Sequence, residues 1–226
     1  MKPLFYYVIC LLPLLVVQPA SGSVTLAQSW SGTLQVPDNN DIGVSNTLTV
    51  TAPDTTWIEA VTIHLQIEGG WNGDLFGYVA HDGQLAVLMN RPGNSLLNLS
   101  GAGSSGMDVT FSDLALADFH QALPDSGLAT GTFQPDGRVT DPLTVLDTDP
   151  RTALLSVFNH GGTDGAWTLF LADQSPGDTS TLKSWSLTVT VVPEPSTAMM
   201  TGMAVMAMAC ARRRRAANRH LIRIDL

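Results

Sequence analysis

Residues Val61–Leu75, V-T-I-H-L-Q-I-E-G-G-W-N-G-D-L, limit what this chain can fold into more than any other stretch. Val61, Ile63, Leu65 and Ile67 fall on one side of an extended segment, and Thr62, His64, Gln66 and Glu68 on the other. A period of two over eight residues is the pattern of a half-buried β-strand, because successive side chains point to opposite faces. Gly69, Gly70 and Gly73 then predict a turn, and after Asp74 a second strand is expected over Leu75–Ala80. A sheet with one apolar face needs a second layer to cover it, so the segment points to a sandwich.

The neighbouring segments extend that reading. Strands are expected over Val24–Val36, with Gly32 at a bulge, and over Val44–Thr51, Trp57–Ile67, Gln84–Met89 and Met107–Phe111. His81-Asp82-Gly83 carries a hairpin signal between Leu75–Ala80 and Gln84–Met89. Arg91–Gly106 and Pro124–Asp141 read as long loops, and Ser112–Gln121 as a segment with a helical turn. Thr152–Phe158 is mostly apolar and predicts a buried strand, and Ala166–Ala172 a central one. Trp185, Leu187, Val189 and Val191 alternate with hydroxylated residues and predict a last strand with one wet face. Many short strands with no sustained helical period define an all-β class, and roughly eight or nine strands suit a jelly-roll β-sandwich.

Charge narrows the partners. Between Ser23 and Val192 there are 18 acidic and 4 basic side chains, a net charge of −14 that the arginine-rich tail hides in the whole-chain value of −9. Such a field repels nucleic acid and anionic lipid and favours cations, calcium above all, because calcium prefers oxygen ligands. The cysteines, Cys10 and Cys210, both lie outside this stretch, so no disulfide is expected within it.

Both ends read as processing signals. Residues 1–22 combine a short basic start, an apolar run over Leu4–Val17 and a small-residue site at Ala20-x-Gly22, the order of a signal peptide. At the other end, Pro193-Glu194-Pro195 precedes the apolar segment Thr197–Ala211 and the cluster Arg212, Arg213, Arg214, Arg215. This three-part order resembles a PEP-CTERM sorting signal over 193–215. The resemblance implies an exosortase-type partner, transient anchoring in the inner membrane, and release to the cell envelope or the extracellular space. The apolar segment has 15 residues, about 22 Å as a helix against a hydrocarbon core of ~30 Å, which makes it a weak anchor. The arginines suit a cytoplasmic stop, and residues 216–226 form a short extension beyond it.

The stretch 23–192 resembles the P domain, or Homo B domain, that follows the catalytic domain of kexin-like and other subtilisin-type proteases. The matching motifs come in order: Val61–His64 before Gly73-Asp74-Leu75, then Phe111-Ser112-Asp113, then Gly131-Thr132-Phe133-Gln134-Pro135. Gly165–Leu169 with Asp173, and Trp185-Ser186-Leu187, complete the set. The family's Ser-Pro-x-Gly turn is replaced by Ala80-His81-Asp82-Gly83. The resemblance implies a galactose-binding-like jelly roll and places Asp74, Asp113 and Asp173 in motif positions as candidate calcium ligands.

Catalysis is not expected. His64, His81, His120 and His160 are present, but no serine lies in a G-x-S-x-G nucleophile motif, and neither H-E-x-x-H nor C-x-x-C occurs. Among the tryptophans, Trp167 and Trp185 sit at alternating apolar positions and are expected in the core, whereas Trp71 follows two glycines and is the candidate for stacking on sugar. The sequence therefore predicts an exported, non-catalytic module with a structural or adhesive role. An accessory module for a subtilisin-like protease and a carbohydrate-binding module, with exopolysaccharide as partner, are the alternatives.

Overall fold

The computed structural model describes residues 22–52, 56–193, 206–209 and 211–212. Residues 1–21 of the signal-peptide segment, Glu194-Pro195, the arginines after Arg212 and the extension 216–226 lie outside the described residues. Gly22–Glu194 forms one compact unit. In the tail, residues 206–209 and 211–212 are helical. Among the described residues no helix is long and apolar enough to cross a membrane.

Among the described residues nine strands build the compact unit: β1 (Val24–Val36), β2 (Asn40–Val50), β3 (Thr56–Gly69), β4 (Leu75–His81), β5 (Gln84–Asn90), β6 (Met107–Ser112), β7 (Ala129–Phe133), β8 (Gly165–Asp173) and β9 (Ser180–Pro193). They form a five-stranded sheet in the order β1-β9-β3-β6-β7 and a four-stranded sheet in the order β2-β8-β4-β5. The alternating segment of the sequence is β3, the middle strand of the larger sheet, paired antiparallel to β9 and β6. Its Ile63, Leu65 and Ile67 are fully buried, as are Met107 on β6 and Leu187 and Val189 on β9. Leu75, Val79, Trp167, Leu169 and Leu171 face them from the other sheet. Each such side chain contributes about 1.5–3 kcal/mol by leaving water, which is what holds the layers together. Trp167 and Trp185 are 0% and 1% exposed, as their alternation predicts. The Trp185 indole N–H also donates to Asn46 Oδ1 at 2.7 Å, tying β9 to β2 across the core.

Two local expectations hold in detail. The β1–β9 register shifts between Ser31 and Leu34, around Gly32. The β4–β5 connection turns on Asp82 and Gly83, with φ of 46° and 74°, the left-handed pair a two-residue hairpin needs.

Two others are corrected, and a third, the helical turn expected within Ser112–Gln121, is present but placed at its end. Thr152–Phe158 is not a strand: Leu155–Phe158 is a 3-10 turn. Asp113 accepts the backbone N–H of Leu155 at 3.1 Å and of Ser156 at 2.7 Å and so caps that turn. Its buried residues Leu155 and Phe158 are three apart, the spacing that brings two side chains onto one side of a 3-10 turn. Within Ser112–Gln121 only the single turn α1 (Phe119–Ala122) forms an α-helix, shared with Ala122 beyond the expected range and capped by Asp118. Finally, Ala129–Phe133 is strand β7 rather than loop, and it runs parallel to β6. Ala129 and Phe133 are its buried residues, with three exposed positions between them, so no alternation marks it.

Candidate functional site

The turn after β3 organises one end of the sandwich. Gly69 and Gly70 take φ of 74° and 72°, and Trp71 then leads into the 3-10 turn Asn72–Asp74. Asn72 is fully buried and donates through Nδ2 to Ser104 Oγ and to the Gly106 carbonyl, each at 2.8 Å. The Asn72 and Gly73 backbone N–H groups donate to Ser104 and Ala102 at 2.9 and 3.0 Å. A Cβ at Gly73 would meet the Ser100 carbonyl oxygen at 2.5 Å, so only glycine lets the 91–106 loop pack this closely. That loop, in turn, receives Trp71: its indole N–H donates to the Ser100 carbonyl at 2.8 Å.

Trp71, Asp74, Arg91, Leu99, Ser175 and Asp178 line an open cleft of about 440 Å³ at this end. Arg91 has φ of 47°, a region that costs a non-glycine residue free energy and persists only where its surroundings enforce it. Its Nε donates to the Gly73 carbonyl at 3.2 Å, and Nη2 donates to the Leu99 carbonyl at 3.4 Å and lies 3.6 Å from Asp74 Oδ1.

The three aspartates singled out as calcium ligands are not brought together as a set. Asp74 and Asp173 do meet, at the facing ends of β4 and β8, with Asp38 beside them. Burial raises the pKa of Asp173 to about 6, and the Asp74 and Asp38 carboxylates add to the rise. Burial also raises Asp74, against the Ser175 hydrogen bond and the Arg91 charge. Asp173 is 1% exposed; its Oδ1 accepts the Ser175 N–H at 3.1 Å, and the Asn39 backbone N–H also favours the carboxylate, although Oδ2 makes no well-aligned hydrogen bond. Asp113 instead follows the Ser112 end of β6, opposite the Gly106 end that holds Asn72, and both its oxygens cap the 3-10 turn. Among the described residues no three His, Cys, Asp or Glu side chains form a group able to hold a metal ion. Of the sorting residues, Pro193 ends β9, Arg212 lies in the tail helix, and Glu194, Pro195 and Arg213–Arg215 lie outside the described residues.

A buried charge network supports the same loops, and its acid and base partners carry no motif that sequence reasoning could seize. Asp136 is fully buried and accepts from His120 Nδ1 at 2.8 Å, from Arg138 Nη1 at 3.1 Å and from the Asn90 backbone N–H at 3.1 Å. Arg138, 1% exposed, also donates to Asp118 at 3.0 Å and to the Asp147 carbonyl at 2.7 Å. His120 Nε2 lies 2.9 Å from the Asn94 carbonyl, so both ring nitrogens face acceptors. Burial works against a charged ring, but the hydrogen bond and charge of Asp136 outweigh it, and the His120 pKa is raised. The one available signal was the spacing Asp136-Gly137-Arg138 behind the Gly131–Pro135 motif.

The other described histidines also have structural partners. His81 stacks on Trp167 at 3.9 Å, with its nitrogens 2.9 Å from the carbonyls of Gly162 and Ala166. His64 lies on the half-exposed outer face of β3, 2.8 Å from Asp108, beside Ser186 and Thr110 on the neighbouring strands. His160 packs against Trp57 at 5.1 Å.

These observations define an all-β, two-sheet domain whose loops at one end carry a mixed-charge cleft, with half-buried Asp74 in its lining next to buried Asp173. No family model matches the chain, and no curated protein does. Among solved structures it is similar to the serine protease of Aeromonas sobria in complex with the chaperone ORF2, at 17% identity and a TM-score of 0.44, over 79% of this chain and 28% of that one. It is similar to the same protease alone at 15% identity and a TM-score of 0.42, over 76% of this chain and 28% of that one. The chain thus spans well under a third of the protease's length.

Proposed function

We propose that this chain is an exported, non-catalytic binding module of the P-domain type, sorted to the cell envelope or extracellular matrix, where it has a structural or adhesive role. The observation that carries the reading is the cleft at the end of the sandwich: Trp71, Arg91 and Asp74 are held in place by the loops that meet there. Side chains fixed before a partner arrives lose little freedom on binding, which is how a surface site gains affinity. The histidines support it too, since His81 and His120 have both ring nitrogens against structural acceptors. The signal-peptide and sorting readings of the two ends supply the route, with an exosortase-type enzyme as processing partner.

Cell fractionation with mass spectrometry of the mature protein tests the proposal. The expected product starts near Ser23, ends near Pro195 and lies in the envelope or medium. A chain that keeps residues 1–22 and stays in the cytoplasm would refute the export reading. Co-purification of a subtilisin-like protease in stoichiometric amount would replace the adhesive role with an accessory one.

A further inference from the structure

We propose that the Trp71 cleft binds a neutral saccharide; the assignment rests on the binding-module reading above and names its ligand class. The argument begins with the aromatic ring. Trp71 is half-buried, its N–H is committed to Ser100, and a Cβ at Gly103 would lie 3.0 Å from the ring. The indole is therefore clamped on two sides while it still lines the cleft. A fixed aromatic face is the surface on which the C–H face of a pyranose ring packs, with an apolar body and a polar tip in one residue.

Hydroxyl recognition requires donors and acceptors around that ring, and the cleft supplies both. Arg91 commits Nε and Nη2 to the loop carbonyls of Gly73 and Leu99, which fixes the plane of the guanidinium. Its Nη1 makes no hydrogen bond among the described residues, so its N–H groups are open donors. Asp74 and Asp178 provide acceptors, and Ser175, whose O–H donates to Asp74, offers its oxygen as a further acceptor. The left-handed φ of Arg91, 47°, belongs to the turn in which its carbonyl accepts the Asn94 N–H at 3.1 Å, and that turn places the guanidinium at the cleft.

Charge then selects neutrality. Arg91 opposes a cationic ligand such as a quaternary ammonium, which Trp71 alone would welcome. Asp74, Asp178 and the net −14 of the surrounding domain oppose a uronate or a phosphate. A polyhydroxylated ligand without charge satisfies the donors, the acceptors and the ring together. The cleft volume of about 440 Å³ falls within the range of small-ligand sites, roughly 300–1,000 Å³.

The test is an NMR titration of the purified, isotope-labelled chain, following the tryptophan indole N–H signals, with Trp71 assigned through W71F. The probes are cellohexaose, laminarihexaose and mannohexaose, with hexagalacturonate and choline as charged controls. At least one neutral oligosaccharide is expected to shift the Trp71 signal saturably and leave those of buried Trp167 and Trp185 in place. Followed at the backbone amides of Leu99 and Ser100, because W71A and W71F lack the Trp71 signal, W71A is expected to weaken binding at least about tenfold, equivalent to about 1.4 kcal/mol, and D178A, at an exposed position, about threefold. Should W71A fail to fold, W71F and D178A carry the comparison. The assignment is overturned if no neutral probe moves Trp71 at about 10 mM, well above the half-filling point of a site worth about 4 kcal/mol. It is equally overturned if W71F and D178A bind like the parent, or if a charged control binds more tightly. An envelope-located protein that ignores the neutral sugars would sink the ligand class alone, whereas a cytoplasmic one would sink the module reading beneath it.

Discussion

Replacing Asp173 by Asn should make this protein more stable at neutral pH. The side chain is 1% exposed, and its burial together with the like charges of Asp74 and Asp38 outweighs the Ser175 and Asn39 backbone N–H groups that favour the carboxylate. The folded-state pKa of about 6 lies above the ordinary 3.8, so folding takes up a proton between those values. The group's contribution to stability is fully present below pH 3.8 and is lost as pH rises through 6. At about 1.4 kcal/mol per tenfold, the loss on ionisation comes to about 3 kcal/mol. Asn keeps an oxygen for the Ser175 N–H and never ionises. Allowing for imperfect placement of its amide, D173N should gain about 2 kcal/mol at pH 8. That corresponds to roughly 4–8 °C in melting temperature for a domain of this size. At pH 3.5 the two proteins should melt together. Thermal unfolding followed by circular dichroism across pH 3.5–8 measures the difference. A D173N protein that is less stable than the parent at every pH would refute the reasoning, because its carboxylate would then be a satisfied partner rather than a strained one. Millimolar calcium added to metal-stripped protein extends the experiment. A cation held between Asp74 and Asp173 would stabilise the parent at pH 8 and leave D173N unmoved.

Asp136→Ala leaves Arg138 and His120 buried without their carboxylate and should cost about 3–5 kcal/mol in chemical denaturation; a loss under about 1 kcal/mol would show that the network is dispensable. Because the His120 pKa is raised, its stabilising contribution is complete below the unfolded value and disappears as pH climbs through the folded one. H120Q should accordingly flatten the stability profile above pH 6.5, and an unchanged slope there would count against a charged ring. Gly73→Ala places a methyl group 2.5 Å from the Ser100 carbonyl, so the 91–106 loop should shift away. Hydrogen exchange at the Gly73 and Ala102 amides should rise at least about tenfold, and unchanged protection would mean that the loop adapts without letting go.

The larger features were legible because they are repetitive along the chain. β3, β6 and β9 announce themselves by alternation, and the Asp82-Gly83 hairpin by the residues that tolerate left-handed backbone. β7 is not legible because its five residues carry no alternation: three exposed positions lie between buried Ala129 and Phe133. Thr152–Phe158 misled because a short apolar run does not reveal its own period; Asp113, some forty residues earlier, caps it as a 3-10 turn. The aspartates show the same limit. Asp74, Asp113 and Asp173 look equivalent as motif positions, yet one caps a turn while the other two crowd each other.

The order of greasy and wet residues was therefore enough, by itself, to determine that this protein is two stacked sheets with an acidic surface. Alternation and charge are properties of neighbours along the chain, and they survive any arrangement of the loops. Tertiary structure alone decided that Trp71 docks on Ser100, that Asp38 joins Asp74 and Asp173, and that His120, Asp136 and Arg138 share one buried network. Each of those depends on loops from separate strands reaching the same few ångströms of space, which packing of the two sheets arranges and no local pattern records.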